Sequence, residues 1–470
     1  MSEKQAKPSA NQTDDIETSL YKKREKIYPR EVHGIFATLR NLAMVTLLGI
    51  FYGMPWLQYD GHQAILFDLP ARKFYIFGWT FWPQDFIYLT ALLLIAAYAL
   101  FFFTALAGRL WCGYACPQTV WTEIFIWMER KIEGSRNKQI KLDKQSIGGE
   151  KLLRKGGKHA AWLIFSLFTG FTFVGWFTPI DMLFSDIVTG NMSGWGIFWI
   201  LFYSFATYGN AGWMREQVCI YMCPYARFQS AMFDKDTLLI AYDEQRGEPR
   251  GSRKKGVDAA EAGLGSCIDC GLCVQVCPTG IDIRDGLQYQ CIGCAACIDV
   301  CDDVMEKTGQ AKGLVKYTTE NELEGTKTHI LRPRIVVYAL LLVIISSALV
   351  YSIATRTPLE IDILRDRNSL YIENDEGFIE NVYTLKIINM SNDEQLYALS
   401  VDGLEGIEMI TQSAEFRVNS GGVAEIPVRL VVDPAVLKRS SSDVNFTIES
   451  KSTEGLSLTE TGKFLGPVSF

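Results

Sequence analysis

Histidine is scarce in this sequence, and no two histidines have the H-x-x-x-H spacing of metal ligands on one helix. The four are His33, His62, His159 and His329. The sequence has no G-x-G-x-x-G motif after a strand and no Walker loop, which argues against nicotinamide and nucleotide cofactors. No short apolar core with a small-residue cleavage site precedes the first long apolar segment, so we expect no cleaved signal peptide. We also expect no nucleic-acid partner.

Charged residues are missing from five long stretches of the chain. The stretches are Asn41–Tyr59, Phe86–Gly108, His159–Ile180, Gly194–Met214 and Ile335–Thr355. Each is near the roughly 20 residues that a helix needs to cross a hydrocarbon core of about 30 Å. A soluble protein would place polar residues on one face of such helices. The sequence therefore predicts five membrane spans surrounded by lipid.

The distribution of Lys and Arg predicts the orientation of these spans, because cytoplasmic loops are enriched in basic residues. Residues 109–158 contain eleven Lys and Arg against five acids, whereas residues 60–85 contain two and residues 181–195 none. We therefore expect a multi-pass protein of the bacterial inner membrane. Its N-terminus and residues 109–158 and 215–334 would lie in the cytoplasm, and its C-terminal domain in the periplasm.

All twelve cysteines fall in segments predicted to face the reducing cytoplasm, where structural disulfides are rare. Eight of them form the runs 267-CIDCGLCVQVCP-278 and 291-CIGCAACIDVC-301, each with the C-x2-C-x2-C-x3-C spacing of bacterial two-cluster ferredoxins. In that spacing the fourth cysteine of each run ligates the other cluster. The expected ligands are Cys267, Cys270, Cys273 and Cys301 for one [4Fe–4S] cluster, and Cys291, Cys294, Cys297 and Cys277 for the second.

Small residues separate the cysteines of both runs, so the backbone can wrap tightly and direct N–H groups at the sulfurs. They are Gly271, Gly293, Ala295 and Ala296. The alternative is a pair of zinc sites, but zinc usually takes two C-x2-C pairs rather than this triple. The second run departs from the ferredoxin pattern, because Asp302 and not a proline follows Cys301. We expect this to affect solvent exposure and potential rather than ligation.

The other four cysteines form two Cys-x-Tyr-x-Cys-Pro motifs, 112-CGYACP-117 and 219-CIYMCP-224, at the predicted cytoplasmic ends of the second and fourth spans. On a helix, a spacing of four residues puts both sulfurs on one face. The repeat predicts two parallel helical hairpins related by an axis along the membrane normal, with the two motifs facing each other.

These four cysteines fit several kinds of site. They could be small buried apolar side chains, the ligands of a third iron–sulfur cluster or of zinc, or a copper site, since thiolates select Cu(I). The stretch 119-TVWTEIFIWMERK-131, which follows the first motif, has Trp121, Phe125 and Met128 at helical spacing. It predicts an amphipathic helix that lies on the membrane.

From Thr357 onward the sequence alternates apolar and polar residues, as in AEFRVNSGGVAEIPVRLVV, with Asn, Asp and Gly at the breaks. Such runs predict a seven-stranded β-sandwich of immunoglobulin type. This part of the chain is acidic and has no cysteine. We expect it to serve for docking or spacing.

The predicted fold class is a multi-domain membrane protein that combines a five-helix transmembrane domain, a bacterial 2[4Fe–4S] ferredoxin-like α+β domain and a C-terminal immunoglobulin-like β-sandwich. The expected parts are a cytoplasmic tail at 1–33, four transmembrane helices in two hairpin repeats at 34–232, the cytoplasmic ferredoxin domain with its tether (242–258) at 233–330, the fifth transmembrane helix at 331–356 and the periplasmic immunoglobulin-like domain at 357–470.

In combination, WCGYACPQTVWTE, VCIYMCPYARFQ, the paired ferredoxin runs, the fifth span and the β-sandwich tail closely resemble the cytochrome oxidase accessory proteins called CcoG, FixG or RdxA. The resemblance covers essentially the whole chain. The two membrane motifs are also similar to those of the NapH- and NosR-type membrane ferredoxins, which pass electrons from quinol toward periplasmic reductases.

The resemblance implies a role in assembling cbb3-type cytochrome oxidase, by reduction of Cu(II) to Cu(I) before copper insertion. It implies that the catalytic, copper-handling thiols are Cys112, Cys116, Cys219 and Cys223. The expected partners are copper ions, cbb3-type oxidase assembly and copper-transport proteins, and an electron donor that is either cytoplasmic or a quinol; a homodimer is left open.

Three functions stay open from the sequence. The first is a membrane cupric reductase, the second an electron-transfer module that feeds a partner protein, and the third a non-catalytic assembly factor whose clusters are structural. Cys→Ala replacement of the four membrane cysteines separates the first two, because only the reductase would lose copper reduction.

Overall fold

The computed structural model describes residues 26–253, 263–391 and 393–467. Most of the predicted N-terminal tail and residues 254–258 of the predicted tether lie outside this part of the chain. The contacts divide the chain into two units. One comprises Met1–Leu57 with Leu93–Leu342, and the other comprises Gln58–Leu92 with Val343–Phe470.

The α-helices of the described residues are numbered in chain order: α1 Ile35–Gly53, α2 Phe86–Ala107, α3 Leu110–Tyr114, α4 Pro117–Glu133, α5 Arg136–Lys144, α6 Gly149–Val174, α7 Ile180–Thr189, α8 Gly194–Thr207, α9 Pro224–Ser230, α10 Glu244–Gly247, α11 Leu272–Val276, α12 Ala296–Lys307, α13 Glu320–Leu323 and α14 Pro333–Ala354. Two π-helical turns, Tyr208–Met214 and Val218–Met222, lie between α8 and α9.

The strands are β1 Gln58–Tyr59, β2 His62–Gln63, β3 Ile65–Asp68, β4 Lys73–Ile76, β5 Trp79–Phe81, β6 Leu239–Tyr242, β7 Val315–Thr318, β8 Leu359–Arg365, β9 Ile372–Glu373, β10 Ile379–Asn389, β11 Gln395–Asp402, β12 Glu408–Thr411, β13 Glu415–Val418, β14 Val423–Val432, β15 Ser441–Ser450 and β16 Ser457–Leu465. Tyr242 belongs to β6 and is buried, so the predicted tether begins inside the folded domain.

Within the described part of the chain, three helical segments are long and apolar enough to cross a membrane: Ile35–Trp56, Pro83–Ala107 and Pro333–Ala354. They correspond to the first, second and fifth spans predicted from the sequence. Helices α6 and α8 occupy the positions of the third and fourth predicted spans. That these two helices cross the bilayer stays a prediction.

Helices α6 and α8 pack closely against each other where Gly170 removes a side chain from the interface. A Cβ atom at Gly170 would collide with the backbone oxygen of Ile200 and with Ser204 Oγ. Small residues of this kind let helix backbones approach within a membrane. This contact joins the two helices of the second predicted hairpin.

Helix α4 was predicted to lie on the membrane, and this prediction is wrong for its apolar face. Phe125 is fully buried and packs against Trp162 of α6 and Ala211, and Trp121 and Met128 lie on the same cluster. The apolar stripe of α4 therefore faces protein. The helical period that predicted the helix does not reveal whether lipid or another helix covers it.

A buried group of charges lies beside this cluster. Glu129 of α4, whose side chain is 3% exposed, accepts from Arg215 at 2.7 Å and from Lys26 at 3.0 Å, and Lys158 lies 3.5 Å away. Burial by itself would raise the pKa of Glu129, but these three cations outweigh it and lower the pKa to about 2. The carboxylate is thus held ionised inside the protein.

The ferredoxin module folds around the antiparallel pair β6–β7 and the helices α11 and α12. Asp299 of α12 accepts hydrogen bonds from the backbone N–H groups of Phe36 at 3.2 Å and Ala37 at 2.7 Å. Both donors belong to the first turn of α1, where the helix itself supplies no acceptor. The carboxylate fills the space beside Gly34, where a Cβ atom would collide with it. The first predicted membrane helix is therefore tied directly to the cluster module.

The second unit contains a β-sandwich of two antiparallel sheets. One sheet has the order β12-β14-β10-β8, with β9 paired to β10, and the other has the order β13-β11-β15-β16. Its core includes the fully buried Tyr383, Tyr397, Phe446 and Phe464. The predicted immunoglobulin-like sandwich is confirmed, but the predicted number of seven strands is wrong, because short β9 and β12 add to the sheet of β8, β10 and β14.

The same unit includes the segment before α2, with the hairpin β1–β2 and the sheet β3-β4-β5. Asp85, which lies next to the start of α2, accepts from the backbone N–H of Trp82 at 2.9 Å and pairs with Arg356 at 2.5 Å. Both side chains are mostly buried. The ion pair therefore links the start of α2 to the end of α14.

Candidate functional site

The eight cysteines of the ferredoxin runs surround two small cavities. One is lined by Cys267, Cys270, Cys273 and Cys301. The other is lined by Cys277, Cys291, Cys294 and Cys297, and Cys273 also borders it. In each cavity the fourth cysteine of one run joins the first three of the other, which is the crossed arrangement that the spacing predicts. Thiol donors around two separate cavities fit two iron–sulfur clusters.

Left-handed backbone turns wrap each run around its cavity. Asp269 and Gly271 have φ values of 53° and 63°, and Gly293 and Ala295 have values of 69° and 58°. Such values are rare for residues with a Cβ atom. They turn the chain so that N–H groups face the sulfurs, as the N–H of Gly293 does for Cys291 and the N–H of Ala296 for Cys294.

Burial shapes the chemistry of these thiols. It raises the pKa of Cys273 to about 11 and the pKa values of Cys294 and Cys301 to about 12. Iron binds the thiolate form, so cluster binding would release a proton from each thiol. The positive charge of iron would then offset the cost of burying the thiolates. Cys270 is the exposed member of the eight and marks where its cavity meets solvent.

The two Cys-x-Tyr-x-Cys-Pro motifs have matching local structure. Cys112 lies in the short helix α3, and Cys116 is extended and precedes α4, whose first residue is Pro117. Likewise Cys219 lies in the π-helical turn Val218–Met222, and Cys223 is extended and precedes α9, which begins at Pro224. The expectation of one continuous helix face is therefore wrong, because each proline starts a new helix at a position where its missing N–H costs nothing.

The structure brings the two motifs together, as the repeat predicts. The thiol of Cys112 lies close enough to those of Cys116, Cys219 and Cys223 to be influenced by all three. Burial first, and these neighbours second, raise the pKa of Cys112 to about 12. Burial, followed by the nearby Cys116, Cys223 and Glu216, raises the pKa of Cys219 to about 11. We call these four residues the thiol quartet.

No three His, Cys, Asp or Glu side chains within 26–253, 263–391 and 393–467 lie close enough together to enclose a single metal ion. Cys112 Sγ donates to Gln229 Oε1 at 3.5 Å, and Gln229 in turn donates to the backbone oxygen of Gly108 at 2.9 Å. Gln229 is therefore a buried polar side chain that lines the quartet, and the sequence analysis did not identify it.

The thiol quartet and the second ferredoxin run touch through their backbones. A Cβ atom on Gly113 would lie 2.8 Å from the backbone oxygen of Gly293, and one on Gly293 would lie 3.0 Å from that of Arg109. Tyr317 of β7 donates to the Gly293 oxygen at 2.7 Å. The loop between Cys291 and Cys294 therefore packs on the residue that follows Cys112.

Two arginines complete this junction. Arg109 is 7% exposed and donates to the backbone oxygens of Cys291, at 3.1 Å, and Ala226. Arg40 of α1 donates to the backbone oxygen of Cys294. Sequence reasoning missed both, although the position of Arg109, three residues before the first motif cysteine and directly after an uncharged span, is a signal that could have identified it.

Comparison with known proteins agrees with this geometry. A family described as "4Fe-4S dicluster domain" matches residues 214–320, one described as "4Fe-4S binding domain" matches residues 89–134, and one described as "IG-like fold at C-terminal of FixG, putative oxidoreductase" matches residues 349–467. Together with the apolar helices, these matches define the class: a membrane-associated electron-transfer protein of the 4Fe–4S ferredoxin type.

Relatives of similar length give the family. Protein RdxB of Cereibacter sphaeroides is 42% identical over 83% of this chain and 84% of its own, and nitrogen fixation protein FixG of Rhizobium meliloti is 38% identical over 83% and 82%. Ferredoxin-type protein NapH of Escherichia coli is 23% identical over 51% and 85%. A solved FixG-related protein from Vibrio parahaemolyticus covers 23% of this chain and 95% of its own at 30% identity and a TM-score of 0.21. The chain belongs to the FixG/RdxA family.

Proposed function

We propose that this protein is a membrane cupric reductase, which uses electrons from two [4Fe–4S] clusters to reduce Cu(II) to Cu(I) at the thiol quartet for the assembly of cbb3-type cytochrome oxidase. When bound, the clusters supply one electron at a time at low potential. Each Cu(II) takes one electron, so one electron leaves the donor for each Cu(I) formed. Copper is a substrate here and not a resident ion.

The observation that carries the proposal is the contact between the quartet and the second ferredoxin run. Gly113 follows Cys112 and packs on Gly293, which lies between Cys291 and Cys294. A Cβ atom on Gly113 would lie 2.8 Å from the backbone oxygen of Gly293, so the two backbones are in direct contact at this point. The cluster ligands and the quartet are thus neighbours through one layer of peptide, an arrangement that suits electron transfer between them.

The ligands that we assign to the clusters follow the two cavities. Cys267, Cys270, Cys273 and Cys301 would hold one cluster, which we call distal. Cys277, Cys291, Cys294 and Cys297 would hold the other, which we call proximal because its loop meets the quartet. The cysteine-lined cavities support the assignment, and the left-handed turns bring N–H groups toward the sulfurs.

The quartet suits the copper step because of its thiols. Thiolates prefer Cu(I) over harder ions, so they would stabilise the product of reduction. Burial raises the pKa of Cys112 to about 12 and that of Cys219 to about 11, so both are thiols rather than thiolates before a metal binds. Binding of a copper ion would therefore release protons, and the incoming positive charge would offset the cost of burying thiolates.

We place the protein in the bacterial inner membrane with five spans, the cluster module in the cytoplasm and the β-sandwich in the periplasm. The excess of Lys and Arg in residues 109–158 supports this orientation, as does the attachment of Asp299 to the start of α1. The partners would be copper-transport and oxidase assembly proteins together with an electron donor.

A specific observation favours a second function, an electron-transfer module that serves a partner protein. The family described as "4Fe-4S binding domain" matches residues 89–134, which include Cys112 and Cys116. In this alternative the quartet passes electrons onward and copper is not involved. The similarity to the ferredoxin-type protein NapH points in the same direction.

Anaerobic titration of the reduced, purified protein with Cu(II) tests the proposal. Cluster absorbance and Cu(I) formation are followed together in the wild type and in a variant with all four quartet cysteines replaced by alanine. We expect the variant to keep its clusters and to lose at least tenfold in the rate of Cu(I) formation. The matched control is Tyr221→Phe, a conservative change at a side chain that is 67% exposed within the second motif. Equal rates in the quartet variant and the wild type would favour the alternative function.

A further inference from the structure

We propose that Arg109 and Arg40 make the proximal cluster the higher-potential one of the two, so that electrons entering at the distal cluster run toward the thiol quartet. The inference rests on the proposed cluster ligands and adds a direction of flow. Arg109 and Arg40 are positioning residues in this scheme, since they bind the backbone of the ligand loop and not the reacting atoms.

The geometry places two cations on one side of the module. Arg109 donates to the backbone oxygen of Cys291, and Arg40 donates to that of Cys294, so both guanidinium groups lie within a few ångström of proximal ligands. Among the described residues neither arginine forms an ion pair. Asp299, the acid nearest in sequence to Cys297, directs its carboxylate to the N–H groups at the start of α1 instead.

The surroundings of the distal ligands differ in charge. Arg284 lies near Cys273, but it is paired with Asp282 at 2.6 Å and with Asp269 at 2.5 Å. Asp302 directly follows Cys301 and accepts from the N–H of Gly313 at 2.8 Å. Arg253 is also on this side, and it donates to the backbone oxygens of Gly265 and Ser266, ahead of the first cysteine.

Reduction adds one negative charge to a cluster, so an unpaired cation next to it stabilises the reduced form. Charge and hydrogen bonding around the sulfurs are among the main determinants of cluster potential. The effect is strong where water is excluded, as it is around Arg109. Two cations and no paired carboxylate on the proximal side among the described residues, against two cations and three carboxylates on the distal side, therefore predict the higher potential for the proximal cluster.

Arg109 also acts on the thiol quartet, which is the next electron acceptor in this scheme. The charge of Arg109 lies close enough to act on the thiols of Cys291, Cys112 and Cys219. One buried cation thus favours negative charge on both sides of the Gly113–Gly293 contact. At the other end of the path, the exposed Cys270 marks the place where a water-soluble one-electron reductant would deliver its electron.

The test is a redox titration of the full-length protein, without copper, followed by the paramagnetic signals of the reduced clusters. We expect two one-electron steps. Arg109→Gln and Arg40→Gln should each lower the potential of the upper step, with at least a tenfold fall in its reduced-to-oxidised ratio at fixed potential, which corresponds to about 59 mV. Arg109→Lys should restore most of the shift, because lysine keeps the charge.

Two further variants assign the steps, and a third controls for general disturbance. Cys294→Ser should change the signal of the upper step, and Cys273→Ser that of the lower step. Arg284→Gln should leave the upper step where it is. If Arg109→Gln loses iron, Arg40→Gln decides, since Arg40 is only half-buried on α1. The inference is overturned if the arginine variants shift the lower step, or shift neither.

The outcome of this titration does not depend on whether the protein reduces copper, because the potentials are measured in the absence of copper. A protein whose upper step responds to Arg109 and Arg40, but which forms no Cu(I), would contradict the reductase function and uphold the direction of flow. Copper reduction with no shift in either step would uphold the reductase function and contradict the direction of flow.

Discussion

Gly113 and Gly293 lie in backbone contact, and neither position has room for a side chain. The closest atoms to a Cβ on Gly113 would be the carbonyl group of Gly293, at 2.8 Å for the oxygen and 2.9 Å for the carbon. Real Cβ atoms do not approach backbone so closely. Gly293 also has a φ of 69°, which a residue with a side chain adopts at a cost. Two glycines from distant parts of the chain thus form the junction between the cluster module and the thiol quartet.

The first prediction concerns this junction. Gly113→Ala should push the ligand loop away from the quartet and slow electron transfer to an acceptor bound there, by tenfold or more, without loss of iron. Rapid mixing of the dithionite-reduced protein with Cu(II) measures the rate. Gly156→Ala is the matched control, because a Cβ atom there meets nothing within 4 Å. Unchanged kinetics in Gly113→Ala would contradict a role for this contact.

The second prediction tests the crossed ligand sets. Cys277→Ser should alter the same paramagnetic signal as Cys294→Ser, although the two residues belong to different runs. Cys301→Ser should alter the signal that Cys273→Ser alters. If each substitution instead affects the cluster of its own run, the crossed assignment is wrong.

The third prediction concerns the buried charge of Glu129. Glu129→Gln leaves Arg215, Lys26 and Lys158 without their shared partner, and breaking a buried ion pair typically costs about 3–5 kcal/mol. We expect a clear fall in the thermal midpoint of the detergent-solubilised protein. Glu150→Gln is the control, since that side chain is 65% exposed and pairs with Arg154 on the helix surface.

The same residue predicts a pH dependence. The pKa of Glu129 falls from an ordinary value of 4.5 to about 2 on folding. A depressed pKa contributes stability above the unfolded value and loses it as pH falls through the folded value. The stability difference between wild type and Glu129→Gln should therefore be largest above about pH 4.5 and shrink toward pH 2, as thermal melts across this range would show. A difference that stays constant would contradict the ionised, buried state.

The fourth prediction concerns the second predicted hairpin. Gly170→Ala places a methyl group against the Ile200 backbone oxygen and Ser204 Oγ, so helices α6 and α8 must separate. Forcing extra atoms into a packed interface costs about 1–3 kcal/mol. Thermal unfolding in detergent measures the loss. Gly157→Ala on the same helix is the control, because the nearest atom there is 3.7 Å away, and equal losses in the two variants would contradict tight packing at Gly170.

The sequence predictions that succeeded rest on local patterns of residue spacing, alternation and uncharged length. Ligand spacing within Cys267–Cys277 and Cys291–Cys301 is a short-range property, and it indicated the iron–sulfur class that the family matches support. The crossed ligand sets stay a prediction with which the two cysteine-lined cavities are consistent. Period-two alternation predicted the β-sandwich but not its strand count, because strands as short as β9 leave almost no periodic signal. Uncharged length indicated the three segments that are long and apolar enough to span a membrane.

Other features depend on which distant segments meet, and the sequence by itself did not determine them. The covering of α4 by α6, the capping of α1 by Asp299, and the meeting of Gly113 with Gly293 all join residues more than thirty positions apart. A helical stripe has the same period whether lipid or protein faces it, and a glycine or an arginine has no spacing rule that names its partner. Composition and spacing indicated the iron–sulfur class of this protein, whereas tertiary packing decided that the second ferredoxin run lies next to the thiol quartet and where the charges of Arg109 and Arg40 fall.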